Sequence, residues 1–70
     1  GGHASLAEAK SKLRKDNAAL VAHLVAVTGR SHREINGELN RLAGVRKVTE
    51  ATADQLQRRL VAGERWAKTL

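Results

Sequence analysis

The sequence predicts an all-α protein, a small three-helix domain whose long first helix projects in part from the rest. A serine or threonine is followed three residues later by Glu or Gln in three places, each ahead of an apolar periodicity: Ser5-Glu8, Ser31-Glu34 and Thr52-Gln55. Such pairs start helices, because each side chain satisfies a backbone amide that the helix leaves unpaired. Alanine and leucine dominate, proline is absent, and runs of β-branched and aromatic residues that would indicate strands are scarce.

The first predicted helix runs from about Leu6 to Val27 and has two halves of different character. Leucines recur every seven residues, at Leu6, Leu13 and Leu20, and Val27 continues the series. The first half is rich in charged residues, whereas the second is apolar almost all round. We therefore expect the second half to be buried and the first to project, as a lead-in from a preceding domain or as a helix that binds a partner. Gly29 lies where a left-handed helix cap is expected.

The second helix is predicted over about His32 to Ala43. Apolar residues recur there at Ile35, Leu39 and Leu42, which is the spacing of one helix face. Gly44 then provides the left-handed residue that commonly ends a helix.

A loop over residues 46–51 precedes the third helix, which is predicted over about Ala53 to Lys68. Leu56, Leu60 and Trp66 are expected to point inward from this helix. The three helices would then enclose one core, made of Leu20, Leu24, Val27, Ile35, Leu39, Leu42, Val45, Val48, Leu56, Leu60 and Trp66.

Two glycines, Gly37 and Gly63, lie inside the predicted helices. A glycine in a helix interior costs about 1 kcal/mol relative to alanine. A close approach by a neighbouring helix would account for each of them.

Seventy residues are enough for a single domain, which we place at residues 5–70. Residues 1–4 (GGHA) have the character of a cloning remnant. The longest strongly apolar run, residues 18–27, has ten residues and is too short to span a bilayer, so we expect no membrane association.

The sequence offers no pattern typical of an enzyme. It contains no cysteine, and its three histidines, His3, His23 and His32, are not spaced to share a metal ion. It also lacks a glycine-rich phosphate-binding loop. We therefore expect no catalytic residues, no metal and no cofactor.

Positive charge is the main functional feature. Thirteen Lys and Arg oppose seven Asp and Glu, which leaves a net charge of +6. Small basic helical domains often bind nucleic acid by displacing counterions from phosphates. The residues predicted to bind DNA are Arg30, Arg33, Arg46, Lys47, Gln55, Arg58 and Arg59.

A helix-turn-helix regulator is one alternative. The second helix would brace the DNA backbone while the third entered the major groove with Gln55, Arg58 and Arg59. The connection at residues 44–52 is, however, longer than the three or four residues typical of that motif.

The segments TGRSHREINGELNRLAGV and VTEATADQLQRRLVAGERW resemble the C-terminal tail of actinobacterial DEAD/DEAH-box helicases. The matching positions are Thr28-Gly29 with His32, Glu38-Leu39 with Arg41 and Gly44, Ala51-Thr52 with Gln55-Leu56, and Arg65-Trp66. A similar layout occurs in the C-terminal domains of some phage antirepressors. The resemblance covers about residues 6–70. It implies an accessory domain of a DNA-processing protein, or a free-standing phage or mobile-element relative, in the cytoplasm or at the nucleoid of a bacterium. The ATPase motifs of the helicase motor are absent from these residues.

A second hypothesis is a protein-interaction or oligomerisation module. The leucine series of the first helix extends further than a three-helix core requires. Leu6 and Leu13 are therefore expected to lack partners within the chain and to form a seam with a second copy or another protein.

Overall fold

The structure, a computed structural model, describes residues 6–70. It contains three α-helices and one 3₁₀ turn: α1 (Leu6–Thr28), α2 (His32–Ala43), the turn at Val48–Glu50, and α3 (Ala53–Lys68). No strand occurs among the described residues. The predicted all-α, three-helix fold is confirmed, and the helix limits agree with the predicted ones to within a residue. The predicted cap at Ser5, the terminal remnant at residues 1–4 and the side chain of Leu6 lie outside the described part of the chain.

Side-chain caps begin α2 and α3, but the reciprocal bond predicted between the Glu34 side chain and the Ser31 N–H is not among the hydrogen bonds of the described residues. The Ser31 hydroxyl accepts a hydrogen bond from the Glu34 N–H at 3.1 Å. At α3 the capping box is complete, because the Thr52 hydroxyl accepts from the Gln55 N–H at 3.1 Å and the Gln55 carboxamide oxygen accepts from the Thr52 N–H at 2.9 Å. These polar side chains therefore stabilise the helix starts.

Two glycines end the first two helices in the left-handed conformation. Gly29 follows α1 with φ of 73°, and Gly44 follows α2 with φ of 69°. The Val45 N–H then donates to the carbonyl of Asn40 at 2.8 Å, which is the bond of a Schellman motif. Both predicted helix ends are confirmed.

The buried apolar residues form two adjoining clusters. One lies between α1 and α2 and contains Val21, Leu24, Ile35 and Leu39, with Leu20 and Trp66 packed against it. The other lies around the connection to α3 and contains Ala43, Val45, Ala51 and Leu56, with Leu13 and Val48 packed against it. Leu60 is also buried.

Two residues predicted to be in the core are exposed. Val27 is 51% exposed, because a seven-residue repeat drifts by about 20° per heptad on a straight helix and leaves the buried face. Thr28 occupies the half-buried position instead. Leu42 is 49% exposed, because Ala43, four residues after Leu39, takes the inward position at the end of α2.

The two helical glycines differ in their surroundings. A methyl group at Gly63 would overlap the Leu20 side chain and lie 3.3 Å from Leu39 Cδ2, so the predicted close approach is confirmed there. A methyl group at Gly37 would meet no atom within 4 Å, so the close crossing predicted there is wrong.

The first turns of α1 extend beyond the packed helices. Residues 7–12 are mostly exposed, and the molecule measures 42 × 22 × 17 Å. Leu13 is different, because it packs against the second apolar cluster. The prediction that Leu13 lacks a partner within the chain is therefore wrong.

The buried position of Leu39 makes its truncation costly. Leu39→Ala is expected to lower the free energy of unfolding by about 2–5 kcal/mol, because it leaves a cavity in the core. Leu42→Ala removes the same atoms from an exposed position and should change it by less than about 1 kcal/mol. Urea denaturation followed by circular dichroism measures both, and equal losses would contradict the core assignment.

Alanine substitutions should separate the two glycines. Gly37→Ala is expected to stabilise the domain by up to about 1 kcal/mol, because the new methyl group enters open space in a helix. Gly63→Ala should destabilise it by about 1 kcal/mol, because displacing Leu20 outweighs the gain in helix propensity. Thermal unfolding compares the two variants, and a stabilised Gly63→Ala protein would show that the contact with Leu20 is loose.

Candidate functional site

Four of the five exposed basic residues predicted to bind DNA form two groups at opposite ends of α2. Arg30 and Arg33 lie at its start, and Arg46 and Lys47 lie just beyond its end. All four are exposed. Twelve helical residues separate the groups by roughly 18 Å, which is about half a helical turn of B-DNA.

The group beyond the end of α2 adjoins the start of α3. Arg46, Lys47 and Gln55 border one shallow depression of about 330 Å³, so three predicted residues come together there. Glu50 borders the same depression and reduces its net charge to +1. The Gln55 oxygen is already occupied by the Thr52 N–H, which leaves the Gln55 amide N–H groups as its available donors.

Other basic side chains interact within the domain. Arg58 pairs with Asp54 at 3.1 Å, and Lys12 pairs with Asp16 at 3.2 Å. Arg41 binds Glu38, and its hydrogen bond holds the pKa of the Glu38 carboxyl below its ordinary value. None of these three ion pairs includes Arg30, Arg33, Arg46 or Lys47, although Arg30 also helps to lower the pKa of the Glu38 carboxyl.

Arg30 makes one further contact. Its guanidinium lies 5.7 Å from the centre of the Trp66 ring, in the geometry of a cation–π interaction. The turn between α1 and α2 thereby contacts the end of α3, while the cationic group stays at the surface.

Arg59 departs from its predicted role. Its side chain is 1% exposed and belongs to the core, so it does not present a guanidinium to a DNA phosphate at the surface. The assignment of Arg59 to the DNA-binding set is corrected on this ground.

The Arg59 guanidinium is bound by three asparagines from the other two helices. Its Nε donates to Asn17 Oδ1 of α1 at 2.9 Å, and its Nη2 donates to Asn36 Oδ1 of α2 at 2.7 Å. Its Nη1 donates to Asn40 Oδ1 and, at 3.5 Å, to the backbone carbonyl of Asn36. We call these four residues the Arg59–asparagine cluster.

Asn17 extends the Arg59–asparagine cluster into the backbone. It is only 3% exposed, and its amide group donates to the carbonyls of Leu13 at 2.8 Å and Leu56 at 3.1 Å. Asn36 likewise donates to the carbonyl of His32 at 3.0 Å. Among the described residues, no buried side-chain nitrogen or oxygen lacks a hydrogen-bond partner.

The Arg59–asparagine cluster contains a charge but no counterion. All of the acceptors are neutral amide oxygens, and Arg59 belongs to none of the ion pairs of the described residues. Burial lowers the pKa of Arg59. A guanidinium nevertheless remains protonated in proteins, so a full positive charge resides in the core.

A groove of about 400 Å³ opens beside this charge. Its wall includes Arg59, the exposed Arg14 and His32, and the apolar side chains of Val21, Val48 and Leu56. All three helices and the 3₁₀ turn contribute to it. No acidic residue lines it.

Two sequence patterns could have indicated the Arg59–asparagine cluster. Asn17 lies four residues from both Leu13 and Val21 on the apolar face of α1. Arg59 lies between Leu56 and Gly63 at helical spacing, on the face of α3 that is buried. A polar residue on an apolar face of each helix is the pattern expected for a buried hydrogen-bonded pair.

Two further findings concern residues 6–70. None of the helices there has the length and apolar character needed to cross a membrane. No three side chains of His, Cys, Asp or Glu in that range are grouped as metal ligands. Comparison with protein-family models, curated proteins and solved structures finds no match to the chain.

The neighbours Arg58 and Arg59 should respond very differently to substitution. Arg59→Met is expected to cost about 3–5 kcal/mol, because the buried Asn17 oxygen and the half-buried oxygens of Asn36 and Asn40 lose their donor. Arg58→Met removes an exposed ion pair and should cost less than about 1 kcal/mol. Denaturant unfolding of both variants measures the difference, and equal costs would contradict a structural role for Arg59.

Proposed function

We propose that this domain is a non-catalytic nucleic-acid-binding module, an accessory part of a DNA-processing protein such as a helicase. It contacts DNA phosphates through the exposed residues at the two ends of α2, principally Arg46 and Lys47. The observation that carries the proposal is the position of this basic pair beside the start of α3, where both side chains are exposed and belong to no ion pair among the described residues.

The charge that remains at the surface supports binding to a polyanion. With Arg59 set aside as buried, twelve Lys and Arg face seven Asp and Glu, so the surface keeps an excess of five positive charges. Such an excess favours nucleic acid through counterion release, without requiring base-specific contacts.

Contact with phosphates is better supported than readout of bases by a helix-turn-helix. The connection from Gly44 to Thr52 contains a 3₁₀ turn and is longer than the turn of that motif. Of the three side chains that would read bases, Arg59 is buried, Arg58 pairs with Asp54, and Gln55 caps its own helix.

The protein-interaction alternative has lost part of its support. Its argument required Leu13 to be without a partner within the chain, and Leu13 packs on the second apolar cluster. The large apolar residues that are exposed, such as Val27 and Val61, are distributed over different helices. Single exposed apolar residues of this kind are normal on a monomeric surface.

Charge reversal at the basic pair tests the proposed function. The double variant Arg46→Glu with Lys47→Glu should bind fluorescently labelled duplex or forked DNA more weakly than wild type at low salt. If both residues contact phosphates in the wild type, the slope of log affinity against log salt should fall by about 2. Fluorescence anisotropy across a salt series measures both quantities.

The matched control is Arg65→Glu with Lys68→Glu, which changes the net charge equally at the last turns of α3. It should weaken DNA binding less than the change at Arg46 and Lys47. Thermal unfolding confirms that both variants fold. Affinity unchanged by the Arg46 and Lys47 substitutions, or lowered equally by the control, would rule out the proposed contact.

A further inference from the structure

The groove beside the Arg59–asparagine cluster lies next to a positive charge that no acidic side chain of the described residues neutralises. Arg59 carries a full charge in the core, and its hydrogen-bond partners are neutral. Electrostatic interactions are stronger near a buried charge than in bulk water, because the surrounding dielectric constant is lower. An anion in the groove would therefore be attracted by the charge of Arg59 even without direct contact.

Direct contacts are available at the rim. Arg14 of α1 and His32 of α2 are exposed, line the same groove, and take part in no ion pair of the described residues. An arginine can bind a phosphate or carboxylate with two parallel hydrogen bonds. The groove thus has exposed hydrogen-bonding side chains at its rim and a fixed charge behind them.

The rest of the groove is suited to an apolar group. Val48 and Ala18 are the accessible apolar part of its lining, Val21 and Leu56 are buried behind them, and no acidic residue is among the described residues that line it. Its volume of about 400 Å³ lies within the range of small-molecule sites. A cavity of about 150 Å³ is enough for benzene, so this groove has room for an aromatic or aliphatic body together with an anionic group.

We infer that this groove is a binding site for a small ligand in which a phosphate or carboxylate group is joined to an apolar body. The anionic group lies toward Arg14, His32 and Arg59, and the apolar body packs against Val48 and Ala18, with Val21 and Leu56 buried behind them. This site is separate from the principal proposed DNA contact at Arg46 and Lys47, because Arg46, Lys47 and Gln55 do not line the groove.

Amide-shift titrations of the intact domain at low salt test the inference. Phenyl phosphate and phenylacetate are the probes, because both combine an anionic group with an apolar body. Inorganic phosphate lacks the body, and benzyl alcohol lacks the charge. We expect saturable shifts at groove residues such as His32 and Val48. Each probe should bind more tightly than either comparison compound.

Two pairs of variants locate the binding. Ala18→Leu places a larger side chain on the groove wall, whereas Ala19→Leu makes the same change at an exposed neighbour that does not line it. Arg14→Gln removes a rim charge and should weaken probe binding by about fivefold. Arg65→Gln is its control outside the groove. Thermal unfolding verifies that all four variants fold.

Weaker probe binding in Ala18→Leu and Arg14→Gln, with their controls unchanged, supports the site. Two results would overturn it. One is a probe that binds no more tightly than benzyl alcohol. The other is a probe affinity that is the same in the Ala18→Leu and Ala19→Leu variants. The outcome is independent of DNA binding, which the substitutions at Arg46 and Lys47 examine.

Discussion

The burial of the Arg59 guanidinium among three asparagines is the constraint on which the packing of the helices depends. A buried cation is unfavourable unless its donors are satisfied. Here Asn17 supplies an acceptor from α1, and Asn36 and Asn40 supply acceptors from α2. These bonds join α3 to both other helices, so they set how the helices face one another as well as stabilising them. The two apolar clusters supply most of the buried apolar side chains, but apolar contacts are less directional than hydrogen bonds.

The parts of the fold that depend on local chemistry could be predicted from the sequence, whereas the hydrogen-bond partners within the Arg59–asparagine cluster could not. The Thr52–Gln55 capping box and the left-handed Gly44 act within a few residues, and the structure has both where they were expected. Arg59 and Asn17 are 42 residues apart, and their pairing exists only after α1 and α3 have packed. Arginine is rarely buried, so residue type alone placed Arg59 at the surface. The groove was not predicted for the same reason, since residues from three helices form it.

The two proposed surfaces use positive charge in different ways. At the ends of α2, exposed and mutually distant residues offer long-range attraction that salt weakens, which suits an extended polyanion. In the groove, a buried charge lies behind two exposed residues and an apolar wall, which suits a compact ligand. Four of the six basic residues predicted from the sequence lie at the ends of α2, whereas Arg58 pairs with Asp54 and Arg59 is buried. The groove could be recognised only from the three-dimensional structure, because no spacing in the sequence links Arg14 and His32 to Arg59.

The burial of Arg59 can be measured directly from its side-chain Nε–H. In the structure this N–H donates to the buried Asn17 oxygen, whereas Arg65 is exposed on the same helix. Hydrogen exchange of the arginine Nε–H signals, followed by NMR, compares the two in one sample. We predict that the Arg59 signal exchanges at least about tenfold more slowly than that of Arg65, because its exchange requires the helices to separate. Equal exchange rates would contradict a buried, hydrogen-bonded Arg59.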